Sequence, residues 1–246
     1  MAVKRTGFRK QVGAFRLDRL LIAVLVISAL GLGGRAWLEE HPQHNPLAPL
    51  DLSDPPGWAT ARKLAALRDD ADACRAVLER SDVGFEALPA AGDAGPCRRE
   101  DRTVLLDYPL SPDTPAATCA VDAGLEIWLR QSLQPAAREL FQADIERVEH
   151  LGVFGCRRLY GNDSGPWSEH ATGNAIDIAG FTLSDGTRIN VLRDWSNKGA
   201  KGAFLRRVRD GACGVFSTTL SPDYNAAHAD HFHLDQGGRA FGNVCR

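Results

Sequence analysis

Hydrophobic and polar positions divide the chain into an apolar N-terminal run, a proline-bearing stretch, and a longer region of short amphipathic segments. The run, residues 20–34, has no charge; Lys4, Arg5, Arg9, Lys10, Arg16 and Arg19 precede it and Arg35 follows. That layout is an export signal or a membrane anchor, because a buried helix of a soluble domain has no use for a basic leader. The run is shorter than the about 20 residues that span a bilayer, and Ala36, Trp37 and Leu38 lengthen it if Arg35 snorkels. The long basic leader favours an anchor with its N-terminus inside the cell. Ala29-Leu30-Gly31 leaves a cleaved signal open.

Residues 39–57 hold Pro42, Pro46, Pro49, Pro55 and Pro56, which disfavour helix and sheet and predict an extended linker in which His41 and His44 are solvated. Over 58–80, Leu64, Leu67, Ala71, Cys74 and Leu78 recur every three or four residues, predicting one amphipathic helix. Further helices are predicted over 119–133, with Trp128 in the core and Pro135 starting the next helix, and over 201–209. Strands are predicted at 103–108, 144–154, 175–183, 187–192 and 213–218, with Asp185-Gly186 as a tight turn. Strands and helices without a βαβ rhythm predict an α+β domain over 58–246, behind a leader and anchor or signal (1–38) and the linker (39–57).

Charge and cysteines narrow the setting. Lys and Arg number 29 against 31 Asp and Glu, so there is no general pull toward nucleic acid, which is not expected as a partner. Six cysteines stand behind an export segment with no Cys-x-x-Cys pair among them. That excludes zinc-finger and thioredoxin readings and points to disulfides in an oxidising compartment. Of the 15 possible connectivities, pairing of neighbours is expected: Cys74–Cys97, Cys119–Cys156 and Cys213–Cys245.

Two polar clusters carry the chemistry. One is Ser168-Glu169-His170-Ala-Thr-Gly173-Asn-Ala175-Ile-Asp177; the other is His228-Ala-Asp230-His231-Phe232-His233. Imidazoles and a carboxylate are what Zn²⁺ takes, and His170, Asp177 and His233 supply three ligands with a place left for water. Gly173 breaks any helical turn between His170 and Asp177, so the first ligand is expected on a loop and the second on a strand. A carboxylate opening the apolar run Ile178-Ala179-Gly180-Phe181 is costly unless paired or metal-bound. Strand alternation puts His231 and His233 on one face with Phe232 directed into the core. His150, with no partner nearby, is read as structural.

The spacing Ser168-x-His170-x-x-Gly173-x-Ala175-x-Asp177, then His228-x-x-His231-x-His233, resembles the zinc peptidase superfamily of D-Ala-D-Ala carboxypeptidases, murein endopeptidases and the hedgehog signalling domain. The wider run through Cys156-Arg157, Gly180-Phe181, Trp195 and Cys245-Arg246 resembles the bacterial extensin-like C-terminal domain family, a branch of that group. This resemblance implies a small antiparallel sheet flanked by helices, Zn²⁺ held by His170, Asp177 and His233, and His228 and His231 beside it as catalytic groups. Asp230 matches the position of the general-base glutamate of relatives, one methylene shorter and on the opposite strand face from His233. Arg157 and Arg158 match an arginine that recognises the substrate carboxylate, and Ser168 shapes the site. The implied function is a zinc-dependent peptidase acting on peptidoglycan stem peptides in the periplasm, held to the inner membrane or released there after signal cleavage. The alternative is a non-catalytic, zinc-containing wall-binding module.

Overall fold

The structure, a computed structural model, describes residues 16–238 and 243–246, so Lys4, Arg5, Arg9 and Lys10 of the basic leader lie outside the described residues. The first helix, α1 (Arg16–Glu40), buries none of its residues and is long and apolar enough to cross a membrane. Arg35 sits within it and pairs with Glu39. The proline-bearing stretch that follows runs against the domain: Leu50 and Leu52 are buried in the core, and Lys63 donates to the Pro42 carbonyl at 2.7 Å. His41 and His44 stack on Trp37, a contact that the reading of both as solvated did not anticipate.

The single helix expected over 58–80 is two, α2 (Thr60–Leu67) and α3 (Ala71–Arg80). Asp70 ends the continuity by accepting the Ala73 N–H, as an N-cap does. The short strands β1 (Phe85–Ala87) and β2 (Thr103–Leu105) form a separate antiparallel pair. Next, α4 (Cys119–Trp128), a π-helical turn (Leu129–Leu133) and α5 (Gln134–Phe141) follow without a break, with Pro135 in the first turn of α5 where its missing N–H is not needed. Every residue of α4 is buried, as expected of a helix packed on all sides. Trp128 lies in the core, its indole N–H donating to the Val208 carbonyl and its ring edge-on to Phe181 and Phe216.

The sheet is larger than expected and mixed. Its seven strands run β3-β4-β5-β8-β7-β9, with β6 also on β5. They are β3 (Leu110–Ser111), β4 (Ile145–Gly152), β5 (Ala175–Leu183), β6 (Arg188–Asn190), β7 (Thr218–Leu220), β8 (Phe232–Asp235) and β9 (Val244–Cys245). The pairs β3–β4 and β7–β9 are parallel, which corrects the purely antiparallel expectation. The central strand β5 has β4 along one side, while β8 pairs with its first half and β6 with its second.

Two strand expectations fail for local reasons. Asn190 caps a short helix, α6 (Val191–Asp194), by accepting the Arg193 N–H, so the strand expected over 187–192 ends at Asn190. Helix α7 (Ala200–Cys213) runs through the start of the strand expected over 213–218, and Val215 and Phe216 reach the core by a turn before β7 begins. The Asp185-Gly186 turn is present, with Gly186 at φ 83° and the Leu183 N–H donating to the Thr187 carbonyl. Cysteine pairing is Cys74–Cys119, Cys97–Cys156 and Cys213–Cys245. Only the last agrees with neighbour pairing, because the β1–β2 hairpin lies between Cys74 and its partner on α4 in sequence.

Candidate metal centre

The site is assembled at the β5–β8 junction. Asp177, third in β5, is the direct cross-strand partner of His233, second in β8, so both side chains leave the same face of the sheet. Phe232 and Ile178, the neighbouring pair, point the other way and are fully buried. His170 arrives from a 3₁₀ turn, Glu169–Thr172, which Ser168 caps and Gly173 ends in the left-handed conformation at φ 77°. That reversal feeds the chain into β5 and leaves His170 over Asp177. The atoms His170 Nε2, Asp177 Oδ1 and His233 Nδ1 lie 3.2, 3.1 and 3.0 Å apart pairwise.

Hydrogen bonds behind the two rings settle their tautomers. The Val153 carbonyl can only accept, so His170 Nδ1 carries the proton (2.8 Å). The Asp235 carboxylate accepts from His233 Nε2 (3.0 Å). In the neutral tautomers, Nε2 of His170 and Nδ1 of His233 therefore direct lone pairs at each other and at a carboxylate oxygen, a repulsive arrangement unless a cation lies among them. A tetrahedral ion bound at about 2.0–2.1 Å sets its donors roughly 3.3 Å apart, close to the separations observed. The three residues could hold one divalent cation.

Without a cation, a proton takes that place. Burial alone lowers the His233 pKa, but hydrogen bonds to Asp177 and Asp235 and their charges outweigh it and raise it to about 9. Burial likewise works to raise the Asp177 pKa, yet the contacts with the His170 and His233 rings and their charges hold its carboxyl well below the usual carboxylate range.

His231 Nε2 lies 3.6 Å from Asp177 Oδ1, and its Nδ1–H is taken by Asp230 at 2.8 Å. His228 gives its Nδ1–H to Asn225 (2.8 Å) and stands 5.2 Å from the His231 ring, centroid to centroid. Burial first, then the neighbouring imidazoles of His231 and His233, push the His228 pKa down to about 4, so this ring is neutral at physiological pH.

The group opens on a cleft of about 390 Å³ whose walls include Arg157, Tyr160, Ser168, His228 and His231. Arg157 is exposed, and among the described residues no carboxylate pairs with it. Arg158 is not on the cleft: it stacks on the Trp167 ring and donates to the Gly165 carbonyl, closing its own loop. His150 bonds the Asp113 carbonyl outside the cleft.

Sequence reasoning missed Asp235, which orients His233, and Asn225, which orients His228. The signal for Asp235 was its place two residues after His233 on the same strand, where alternation returns it to the same face. Tyr160 and Tyr224, whose hydroxyls meet at 3.1 Å, were missed as well.

No curated protein and no solved structure matches the chain. Residues 72–246 match the family described as extensin-like protein C-terminus. The match takes in both polar clusters, all six cysteines and most of the chain, and on it the chain belongs to the extensin-like protein C-terminus family.

Proposed function

We propose that this chain is a zinc-dependent peptidase acting on peptidoglycan peptides in the periplasm, with α1 as its inner-membrane anchor or, if cleaved, its export signal. The observation that carries the reading is the set of three lone pairs from His170, Asp177 and His233 aimed at one point in the wall of an open cleft. Two imidazoles and a carboxylate suit zinc, and the spacing of both clusters resembles that of zinc peptidases of the cell wall. Bound there, zinc supplies a Lewis acid for a peptide carbonyl and makes a hydrolytic water acidic near neutral pH.

The protein's own groups would do the rest. Asp230 holds the Nδ1–H of His231, which leaves Nε2 on the cleft side as proton acceptor. Neutral His228, fixed by Asn225, presents its Nε2 as a second acceptor that can pass a proton to the leaving amine. Arg157 offers a guanidinium to a substrate carboxylate. Ser168 fixes the turn that holds His170.

One observation favours the second reading, a zinc-bearing wall-binding module without turnover. Asp230 accepts from His231 Nδ1 and is not among the residues that line the cleft, so it is not placed as a carboxylate base over the ligand set. The test is to incubate the zinc-loaded full chain in detergent, and its chelator-treated form, with purified muropeptides and to follow their masses. Zinc-dependent loss of a terminal residue or scission of a cross-link is expected. Tight binding with no product assigns the chain to the module, and neither binding nor product removes both readings.

A further inference from the structure

Tyr160 occupies a backbone position that local structure disfavours. It has φ 58° and ψ 17° and is followed by Gly161 at φ 69°; the Asn162 N–H closes the turn onto the Leu159 carbonyl at 3.3 Å. Turns with positive φ at both central residues favour Gly, Asn or Asp, and a bulky aromatic there is an outlier. Nor is the side chain repaid by burial, since Tyr160 is 67% exposed. Strain of this kind that packing does not explain points to function.

The surroundings say which function. The turn is held at its base: the Leu159 N–H donates to the Pro166 carbonyl, the Ser168 N–H to the Arg157 carbonyl, and Cys156 is tied to Cys97. Tyr160 lines the cleft together with its turn neighbours Leu159 and Gly161 and with His228 and His231. Its hydroxyl meets that of Tyr224, 64 residues away, at 3.1 Å, and the Tyr224 ring stands edge-on to His228 at 5.4 Å. Of the two phenols only Tyr160 lines the cleft. Either hydroxyl can donate across that contact; an acceptor in the cleft would select the arrangement in which Tyr224 donates to Tyr160 and Tyr160 gives its own proton to the acceptor, a donor that accepts a hydrogen bond being polarised toward giving one.

Resting on the peptidase reading, we infer that Tyr160 is a substrate-binding residue whose hydroxyl donates to a carbonyl or carboxylate oxygen of the peptide in the cleft. Tyr224 is the positioning residue that holds and polarises it. The hydroxyl, rather than the ring, sets the affinity, so the partner is a peptide oxygen and not an apolar side chain.

The test titrates the zinc-loaded full chain in detergent with a synthetic stem pentapeptide ending in D-Ala-D-Ala, following turnover in parallel so that KM and kcat separate. Tyr160→Phe is expected to weaken peptide binding roughly 2–10-fold with zinc affinity and melting temperature unchanged. Tyr224→Phe is expected to do the same, and the double variant to be no worse than either, because the two hydroxyls act as a unit. Tyr160→Gly is expected to keep or raise the melting temperature, since it relieves the turn, while losing the affinity. Wild-type affinity in both Tyr160 variants overturns the inference, and additive losses overturn the role of Tyr224. If the zinc-loaded wild type itself binds no peptide, the peptidase reading falls and Tyr160's role with it.

Discussion

Asp177 and His233 face each other directly across β5 and β8, with Oδ1 and Nδ1 3.0 Å apart. Sheet register alone makes this contact, since cross-strand partners share a face at a fixed spacing. His170 is the piece added from outside the sheet. Removing either sheet-borne side chain of the proposed zinc site therefore leaves the scaffold standing. Asp177→Asn and His233→Gln are expected to fold with all three disulfides and to lose zinc affinity by more than the roughly 10–100-fold typical of a lost outer-shell partner. Competition with a chromophoric chelator measures it; wild-type affinity in either variant removes that residue from the ligand set.

Asp235 is expected to act through His233. It is buried, accepts from His233 Nε2, and is itself fixed by the Gly237 N–H at 2.8 Å. Asp235→Asn leaves the shape and weakens the acceptor, so zinc affinity should fall roughly 10–100-fold while the metal-free melting temperature moves less than the zinc-bound one. Equal losses in both forms would mark Asp235 as a purely structural residue.

Much of this arrangement was legible in the sequence, and the exceptions have physical causes. His170, Asp177 and His233 could be read together because each sits in a short polar cluster embedded in apolar sequence. Strand β5 was found to its exact ends because its buried run is long and bounded by turn residues. Strand β7 was misplaced because Val215 and Phe216 are apolar without alternation, and a helix C-terminus can bury such a pair as well as a strand can. The parallel edges β3 and β9 have two residues each, too few to show any period. Tyr160 and Tyr224 lie on loops, where neither period applies and only tertiary structure brings them together.

The titrations of His233 and His228 give the metal-free protein an optimum. With a folded value of about 9 against an unfolded value near 6.5, protonated His233 contributes stability that is complete below pH 6.5 and lost as pH rises to 9. His228, held down at about 4, works oppositely: its contribution is present above pH 6.5 and lost as pH falls toward 4. Asp177 adds stability present above about pH 4 and lost only in stronger acid. Thermal unfolding in chelator should peak near pH 6.5 and lose on the order of 1–3 kcal/mol by pH 9. Saturating zinc should abolish the alkaline loss, because the ion replaces the proton on His233. An alkaline loss unchanged in His233→Gln would assign it to another group.

Two of the disulfides should separate global from local stability. Cys97–Cys156 and Cys213–Cys245 span 59 and 32 residues, and loop closure assigns each about 4 kcal/mol. By that estimate, replacing either pair with serine lowers the melting temperature similarly. Their positions differ. Cys156 follows the segment that holds His170, in which the Gly155 N–H donates to the His170 carbonyl at 3.0 Å and the Val153 carbonyl accepts from the His170 ring. Cys213–Cys245 ties the end of α7 to the edge strand β9, outside the cleft lining. Opening Cys97–Cys156 should therefore weaken zinc binding along with stability, while opening Cys213–Cys245 should cost stability and leave zinc affinity alone. Chelator competition well below both melting temperatures distinguishes them, and equal zinc affinities in the two variants would show that His170 needs no clamp beyond its own turn.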